Sequence, residues 1–333
     1  MKAFTINKYS ETEPLQLSEV PRPQITENEV LVEIYAAGLN QLDTKIKSGS
    51  FKTILPYKTP LILGHDVAGI VTEVGRKVSR FKVGDEIYAR VPDFKIGTLA
   101  EYIAINEVFV ALKPKNSTME EAASIPLVGL TVWQTFIERG KLQKGQKVFI
   151  QAGSGGVGTI AIQLAKYLGA VVTTTTSSKN FDWVKSLGAD ILIDYKTQDF
   201  ETELQDYDLV LNSQDIKTLE KSINITKSGG KVISISGPPT PAYAKEFGLS
   251  WVLKFILGIM SYKVRRRAKQ KYVDYQFLFM KANGQQLGEI TKLVETGKIK
   301  PVVDKVFSFD QTNDAFSYIK SGRAKGKVVV KVR

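Results

Sequence analysis

Residues 147–170, KVFIQAGSGGVGTIAIQLAKYLGA, predict the fold of the central part of the chain. The strand-like run KVFIQA leads directly into a glycine-rich turn and then into a segment with the apolar period of a helix. Gly153, Gly155 and Gly158 satisfy the pattern G-x-G-x-x-G, which is informative only in this strand–turn–helix context. Such glycines permit close backbone approach, and the first N–H groups of the helix can bind a pyrophosphate. The stretch predicts a dinucleotide site, against the alternative of a purely structural turn.

Strand-like and helix-like segments alternate downstream of this turn. The strand-like runs are VVTTTT, ILIDY, YDLVLN and KVISISG, and helical segments such as FDWVKSLGA separate them. This alternation predicts an α/β fold with a doubly wound parallel sheet. The first third of the chain differs, with short strand-like runs and turn signals at close intervals: VLVEIYAAG, DVAGIVTEVG, DEIYARV and LAEYIAI. These runs predict a small irregular β-barrel or folded sheet, which the terminal run GKVVVKV rejoins.

The length of 333 residues exceeds what one hydrophobic core usually serves, so we expect two domains. We place a β-rich domain at residues 1–121 and 284–333 and a cofactor domain at residues 122–283. Ser117 and Thr118 each have a glutamate three residues later, a capping-box pattern that predicts the start of a helix. We place the first domain border just after this predicted helix start.

Composition excludes several classes of protein. The hydrophobic fraction of 43% and the charged fraction of 24% are typical of globular proteins rather than disordered or membrane-spanning ones. Cysteine is absent, which excludes disulfides and thiolate metal sites and favours a cytoplasmic location. The amino-terminal stretch MKAFTINKYSETEPLQLSEV has no continuous apolar core, so we expect neither a secretory nor a mitochondrial presequence.

The end of the second strand of the cofactor domain bears on the choice between NAD and NADP. An NAD site usually has Asp or Glu about 20 residues beyond the glycines, where it binds the ribose 2′-OH. Here VVTTTT runs into Ser177, Ser178 and Lys179, and Asp182 is expected later, in the first turn of the next helix. A hydroxyl and an ammonium can hold a 2′-phosphate, so NADPH is the predicted cofactor. The alternative is that Lys179 is a solvated surface lysine.

Several sequence blocks resemble the medium-chain dehydrogenase/reductase superfamily, in its zinc-free quinone oxidoreductase-like and enone reductase branch. In chain order they are AAGLNQLDTKIKSG (36–49), LGHDVAG (63–69), VGDEIYA (83–89), GLTVWQ (129–134), AGSGGVG (152–158), SLGADILIDY (186–195), GGKVISISG (229–237) and SGRAKGKVVV (321–330). The resemblance covers essentially the whole chain. It implies a GroES-like catalytic domain, a Rossmann cofactor domain, NADPH-dependent reduction of quinones or of the C=C bond of enones and alkenals, and a homodimer joined through its cofactor domains.

The resemblance also implies the site residues. Asn40 would lie beside the nicotinamide, where zinc-dependent relatives have a cysteine ligand, and Thr131 would reach the same part of the cofactor. Lys45 stands where many quinone oxidoreductases have tyrosine and enone-reducing relatives often have lysine, which favours an enone substrate. The remaining implied cofactor contacts are Gly153, Ser154, Gly155, Gly156, Val157, Gly158, Ser177, Lys179, Tyr195 and Ser236.

His65, the only histidine, lies in LGHDVAG, a setting that in a dehydrogenase suggests a catalytic zinc. Zinc needs about three protein ligands, and Asn40 stands in the first ligand position. Asp66 and Glu73 could supply oxygen ligands, but one imidazole with such oxygens would imitate the usual zinc site poorly. We therefore predict no metal site, with His65 lining the cleft or hydrogen-bonded in a structural role. Without a Lewis acid, the best hydride acceptors delocalise the new charge themselves, as quinones and α,β-unsaturated carbonyls do.

Lys45 is a candidate donor to the developing oxyanion, beside water, the ribose hydroxyl and backbone N–H groups. The alternative for this residue is an exposed helix lysine. Phe51, Tyr57 and the Pro238–Pro239 loop are candidate linings of the substrate pocket.

The net charge of +12 is concentrated locally, because residues 251–273 contain seven basic residues and no acid. The main alternative function is a binding protein that holds NADPH and uses this segment to contact RNA or a membrane surface. The apolar part of residues 251–273, WVLKFILGIM, is shorter than the ~20 residues that span a bilayer. We favour a helix that covers the active-site cleft with solvated charges, and we expect no significant nucleic-acid site because no stacking pattern accompanies the charges.

Overall fold

A computed structural model describes residues 1–52 and 54–333, and the chain divides into two compact units. The β-rich unit comprises Met1–Leu130 and Lys281–Arg333, and the cofactor unit comprises Thr131–Met280. The elements in chain order are β1 Lys2–Ile6, β2 Gln16–Glu19, β3 Glu29–Leu39, α1 Gln41–Lys47, β4 Leu61–Ile62, β5 Asp66–Val74, β6 Glu86–Arg90, β7 Tyr102–Asn106, β8 Val110–Leu112, α2 Met119–Ala123, α3 Pro126–Trp133, β9 Lys147–Ile150, α4 Gly156–Tyr167, β10 Val171–Thr176, α5 Phe181–Ser186, β11 Ile191–Asp194, α6 Phe200–Glu203, β12 Tyr207–Asn212, α7 Ile216–Ile225, β13 Thr226–Ser234, α8 Pro241–Glu246, α9 Trp251–Met260, α10 Tyr262–Gln270, β14 Asp274–Phe277, α11 Gly284–Glu295, β15 Val303–Ser308, α12 Thr312–Lys320 and β16 Lys327–Lys331.

The β-rich unit is organised around the long strand β3. The strand belongs to a sheet of order β15-β16-β3-β5-β6-β8, and β7 also pairs with β3. Val30, Val32 and Ile34 alternate along β3, so they share one face and enter one core cluster with Val67 of β5 and Ile87 of β6. The terminal strand β16 pairs antiparallel with β3, which confirms that GKVVVKV returns to the first domain.

The register of β3 brings distant polar residues together at the end of the strand. Leu39 pairs with Val328 of β16, so the following residue, Asn40, lies beside Lys327. On the other side of β3, Gly38 pairs with Asp66 at the start of β5. Strand pairing therefore collects an amide, an ammonium and a carboxylate that are far apart in sequence.

The cofactor unit contains a sheet of order β11-β10-β9-β12-β13-β14, and all of its neighbouring pairs are parallel. Numbered from β9 as the first strand of the unit, this order is 3-2-1-4-5-6, that of a Rossmann fold, and it confirms the predicted doubly wound sheet. Phe149, Val210 and Val232 from three central strands pack with Leu219 and Ile223 of α7. The order reverses between β9 and β12, where this fold places its ligand crevice at the carboxyl ends of the strands.

Two local predictions are also confirmed. Thr118 is the N-cap of α2, and its hydroxyl accepts the Glu121 N–H at 3.1 Å while the Glu121 carboxylate accepts the Thr118 N–H at 2.9 Å. Asp182 lies in the first turn of α5. Within the described ranges, no helix is both long and apolar enough to cross a bilayer.

Candidate active site

The glycine-rich turn connects β9 to α4 and packs against β10. The N–H of Gly153 donates to the Thr175 carbonyl at 2.9 Å, and the Thr174 hydroxyl donates to the Ile150 carbonyl at 2.6 Å. A Cβ at Gly153 would lie 2.3 Å from the Thr174 hydroxyl oxygen, and one at Gly158 would lie 2.4 Å from the Ala152 carbonyl oxygen. Both positions therefore require glycine, because the turn packs too closely on β10 at Gly153 and α4 packs too closely on the turn at Gly158.

Gly155 serves a different purpose in the same turn. Among the described residues, a Cβ at this position would meet only the Ala152 carbonyl oxygen, at 3.4 Å, so the space next to Gly155 is open. Gly155 is the N-cap of α4 and supplies no side-chain cap, which leaves the first helical N–H groups to a ligand. An open backbone surface at a helix amino terminus fits a pyrophosphate. Ser154, Gly156 and Val157 complete this turn in sequence.

A buried amide network lies at the carboxyl ends of the central strands. The Gln151 side-chain carbonyl, directly after β9, accepts the Asn212 amide of β12 at 2.8 Å and the Ser213 N–H at 3.1 Å. Asn212 Oδ1 in turn accepts the hydroxyl of Ser234 at 2.5 Å and that of Ser236 at 3.3 Å. The network crosses the point where the strand order reverses, and it places Ser236, a predicted cofactor contact, at this edge of the sheet.

The predicted adenosine-binding residues follow two neighbouring strands. Thr176 of β10 pairs with Asp194 of β11, so Ser177 and Tyr195 emerge from adjacent strand ends. Ser177 is buried and its hydroxyl accepts the Asn180 amide at 3.2 Å. Lys179 and Tyr195 are exposed. Ser177, Lys179 and Tyr195 thus follow β10 and β11 at the same edge of the sheet as the glycine turn.

Asp194, at the end of β11, is a carboxylate at this edge that the sequence pattern did not indicate. Its Oδ2 accepts the Ser178 N–H at 3.2 Å and its Oδ1 accepts the Lys196 N–H at 3.0 Å. The hydrogen bond from the Lys196 N–H holds the pKa of this carboxyl below its usual range, so Asp194 is charged at neutral pH. Sequence order gave no acid directly after VVTTTT, whereas the neighbouring strand supplies one. Its Oδ2 thereby holds the backbone of the loop that carries Ser177 and Lys179.

In the β-rich unit, Asn40 is the N-cap of α1 and belongs to a buried polar cluster. Its side-chain Nδ2 donates to Asp66 Oδ2 at 2.9 Å, and its Oδ1 accepts the Lys327 ammonium. Lys327 also donates to the Leu39 carbonyl at 2.8 Å and to Asp66 Oδ2 at 3.2 Å. Burial raises the pKa of the Asp66 carboxyl, and the Lys327 ammonium opposes that rise. The amide plane of Asn40 is consequently fixed from both ends.

His65 lies beside this cluster and is fully buried. Its Nδ1 is 2.6 Å from Asp43 Oδ1, and the other Asp43 oxygen accepts the Asn40 N–H at 2.8 Å. This is the hydrogen-bonded structural role, one of the two alternatives predicted for His65. In residues 1–52 and 54–333, no three His, Asp or Glu side chains form a group that could hold a metal ion.

The other predicted reaction residues occupy different settings. Lys45 is exposed on α1, with its ammonium 6.0 Å from the centre of the Phe51 ring. Thr131 is buried at the start of the cofactor unit, and its carbonyl accepts the Thr135 hydroxyl at 2.7 Å. The Tyr57 hydroxyl donates to the Asp93 carbonyl, and burial raises the pKa of its phenol. Tyr57 is therefore a structural hydrogen-bond donor rather than an acid poised near neutral pH.

Comparison with known proteins gives matches to both parts of the chain. The family described as Alcohol dehydrogenase GroES-like domain matches residues 26–115, and the family described as Zinc-binding dehydrogenase matches residues 187–330. The 2-methylene-furan-3-one reductase of Solanum lycopersicum is 36% identical over 341 residues, covering 99% of this chain and 79% of that protein. The chloroplastic NADPH-dependent alkenal/one oxidoreductase of Arabidopsis thaliana is 35% identical, with the same coverage of 99% and 79%.

A solved structure agrees with these sequence matches. The quinone oxidoreductase of Coxiella burnetii superimposes with a TM-score of 0.87 at 29% identity, covering 100% of this chain and 99% of that one. The two units, the Rossmann sheet and these relatives define an NAD(P)H-dependent oxidoreductase with a GroES-like and a Rossmann domain. The chain belongs to the medium-chain dehydrogenase/reductase superfamily, in its branch of quinone and enone reductases, which confirms the family predicted from the sequence blocks.

Proposed function

We propose that this chain uses NADPH to reduce the C=C bond of α,β-unsaturated ketones and aldehydes, or quinones, without a catalytic metal. The main support for the proposal is the pair of hydrogen bonds that hold the Asn40 side-chain amide. Its amide oxygen accepts the Lys327 ammonium and its amide nitrogen donates to Asp66, so both polar ends are engaged by protein. An amide held in this way is a neutral, oriented group and a poor substitute for a zinc-binding thiolate.

The residues present fit a nicotinamide dinucleotide. The open backbone surface at Gly155 and the amino terminus of α4 would hold its pyrophosphate, and Ser236, which follows β13 at the same edge of the sheet, would contact the cofactor. When bound, the reduced nicotinamide supplies the hydride. We assign the orientation of its ring to Asn40 and Thr131.

The substrate class follows from the chemistry that these side chains can support. Reduction of a conjugated carbonyl places negative charge on oxygen, where a hydrogen-bond donor stabilises it. The exposed ammonium of Lys45 is our candidate for that donor and for the source of the proton. An ordinary alcohol lacks such delocalisation and would need a Lewis acid. The names of the tomato, Arabidopsis and Coxiella relatives support an enone, alkenal or quinone substrate.

The decisive assay follows NADPH absorbance with a panel of enones, alkenals and quinones, beside saturated alcohols with NADP. We expect turnover of the conjugated carbonyls, insensitivity to chelators, no stoichiometric zinc in elemental analysis and poor alcohol oxidation. Chelator-sensitive alcohol oxidation would contradict the proposal. Tight NADPH binding with no turnover on the whole panel would favour a binding protein.

The role of Lys45 is testable with a matched variant. Lys45→Met should lower kcat by roughly 10²-fold or more if the ammonium acts as the acid. Lys52→Met is the control, because Lys52 is also exposed and its ammonium lies 5.4 Å from the centre of the Tyr9 ring. Equal rates in the two variants would remove Lys45 from the mechanism.

We further propose that NADPH is preferred over NADH. The support is the grouping of Ser177, Lys179 and Tyr195 at adjacent strand ends, since one charge-assisted contact to a phosphate contributes ~1.5–3 kcal/mol, or at least about tenfold in affinity. Lys179→Ala should reduce the ratio of NADPH affinity to NADH affinity and leave NADH affinity nearly unchanged. Lys185 is an exposed lysine on α5, and Lys185→Ala should change neither affinity. Equal affinity of the unmodified protein for both cofactors in a fluorescence titration would contradict the preference.

We also propose a cytoplasmic homodimer. Strand β14 ends the order of the parallel sheet and pairs there with β13, so its other edge can continue the sheet into a second copy. Sedimentation of a monomer at micromolar concentration would contradict the dimer. Cell fractionation tests the location, which matters because the Arabidopsis relative is chloroplastic by name.

A further inference from the structure

Helix α9 presents large apolar side chains to solvent. Trp251, Phe255 and Ile259 are 78%, 65% and 63% exposed. They are spaced by four residues, so they form one stripe along the helix. The stripe lines an open groove of about 610 Å³ together with Pro241, Lys254, Gly258 and Tyr262. Contiguous exposed apolar surface of this kind is typical of an interaction site.

The stripe is separate from the side of α9 that holds the helix in place. Leu257 is the buried residue of α9, and it packs in a cluster with Tyr243, Ala244 and Phe277. Replacing residues of the stripe should therefore leave the packing of the helix intact.

Helix α10 extends this surface with positive charge. Tyr262, which lines the groove, is followed at helical spacing by Arg266 and Lys269, so the three lie on one face of α10. Val264 and Ala268 occupy the opposite face and are buried. Arg266 and Lys269 are exposed and, among the described residues, form no ion pair. The apolar stripe and the basic face therefore meet at Tyr262.

We propose that α9 and α10 form a docking surface for an anionic lipid bilayer, with the stripe at the headgroup–acyl boundary and the α10 cations on lipid phosphates. Charge complementarity supports this occupant, since residues 251–273 contain seven basic residues and no acid. A second copy meeting this face with its own would bring like charges together. The exposed aliphatic residues Val252, Ile256, Ile259 and Met260 suit hydrocarbon, whereas single-stranded nucleic acid is held by aromatic stacking.

The test is co-sedimentation of the full-length protein with vesicles of phosphatidylcholine alone and of phosphatidylcholine mixed with phosphatidylglycerol. We expect binding to the anionic vesicles only, weakened roughly fivefold for each cation removed in Arg266→Ala and Lys269→Ala. Lys185→Ala/Lys217→Ala is the charge-matched control, because it removes two exposed cations elsewhere in the same unit. It should bind like the unmodified protein.

The apolar contribution is measured separately. Phe255→Ser/Ile259→Ser should weaken vesicle binding by at least about tenfold while the midpoint of urea unfolding, followed by circular dichroism, is unchanged, which shows that the variant is folded. Trp251 emission should shift to shorter wavelength on the anionic vesicles, and Trp251→Phe should lose the shift and keep the binding.

Three results would overturn the proposal. The first is equal sedimentation with neutral and anionic vesicles, or with neither. The second is dissociation of a dimer by Phe255→Ser/Ile259→Ser, which would assign the stripe to a second copy of the chain. The third is RNA binding at physiological salt that is lost in Arg266→Ala/Lys269→Ala while vesicle binding is absent.

Discussion

Replacement of Lys327 by methionine tests how strongly the buried cluster of Asn40, Asp66 and Lys327 stabilises the β-rich unit. The ammonium donates to the Leu39 carbonyl, to Asn40 Oδ1 and to Asp66 Oδ2, and both charged side chains are buried. The variant leaves the Asp66 charge without its cation and the Leu39 and Asn40 oxygens without their donor. Breaking a buried pair costs about 3–5 kcal/mol, so we expect a loss of that size from the free energy of unfolding of the β-rich unit. Urea unfolding followed by circular dichroism measures it.

The loss of stability in Lys327→Met should be larger at high pH than at low pH. The folded pKa of Asp66 is raised above its ordinary value of 3.8 by burial, so the stability contributed by this group is greatest below the unfolded pKa and falls as pH rises through the folded pKa. The Lys327 ammonium lowers the folded pKa of Asp66, so removing this ammonium raises that pKa. The pH range over which stability decreases then extends to higher pH. Lys327→Met should therefore be less destabilised at about pH 4 than at about pH 8.

Two further variants isolate the cause. Lys331→Met is the matched control on β16, because that lysine is half exposed and its ion pair with Glu120 is 3.3 Å long, so it should cost at most about 1 kcal/mol. Asp66→Asn combined with Lys327→Met should recover part of the stability and abolish the pH dependence. Equal losses for Lys327→Met and Lys331→Met, or a loss that grows at low pH, would refute the reasoning.

Three other outcomes follow from packing. Gly153→Ala should cost about 1–3 kcal/mol and remove NADPH binding in a fluorescence titration, because its Cβ would lie 2.3 Å from the Thr174 hydroxyl oxygen. Gly288→Ala in α11 should raise the free energy of unfolding by about 0.5–1 kcal/mol in urea, since its Cβ would meet no atom of the described residues within 4 Å. A stabilising Gly153→Ala or a destabilising Gly288→Ala would contradict this account. Tyr88→Phe should cost about 1–2 kcal/mol with unchanged NADPH affinity, because the buried hydroxyl donates to the Leu287 carbonyl at 2.7 Å, and no measurable loss would show that this bond is dispensable.

Much of the cofactor unit could be predicted because its signals are local. The strand–turn–helix at residues 147–170 fixes its own geometry, and the glycines at 153 and 158 are required by contacts within that unit. The family followed from several blocks in order, which no single motif would have given. The position of Asp194 was not predicted, because this residue lies on β11, the strand that pairs with β10. The sequence VVTTTTSSKN does not indicate which residue of the paired strand will contact the Ser178 N–H.

The sequence alone determined the two-domain α/β architecture, the glycine turn and the α2 cap, because hydrophobic period and capping residues act over a few neighbouring positions. Only the tertiary structure decided that Asn40, Asp66 and Lys327 form one cluster, since Asp66 and Lys327 are 261 residues apart and meet through the register of β3 with β5 and β16. It also decided that the apolar run WVLKFILGIM is largely exposed, although its composition is typical of a core helix. Register and exposure depend on which surfaces pack together, and that is a property of the whole chain rather than of any stretch within it.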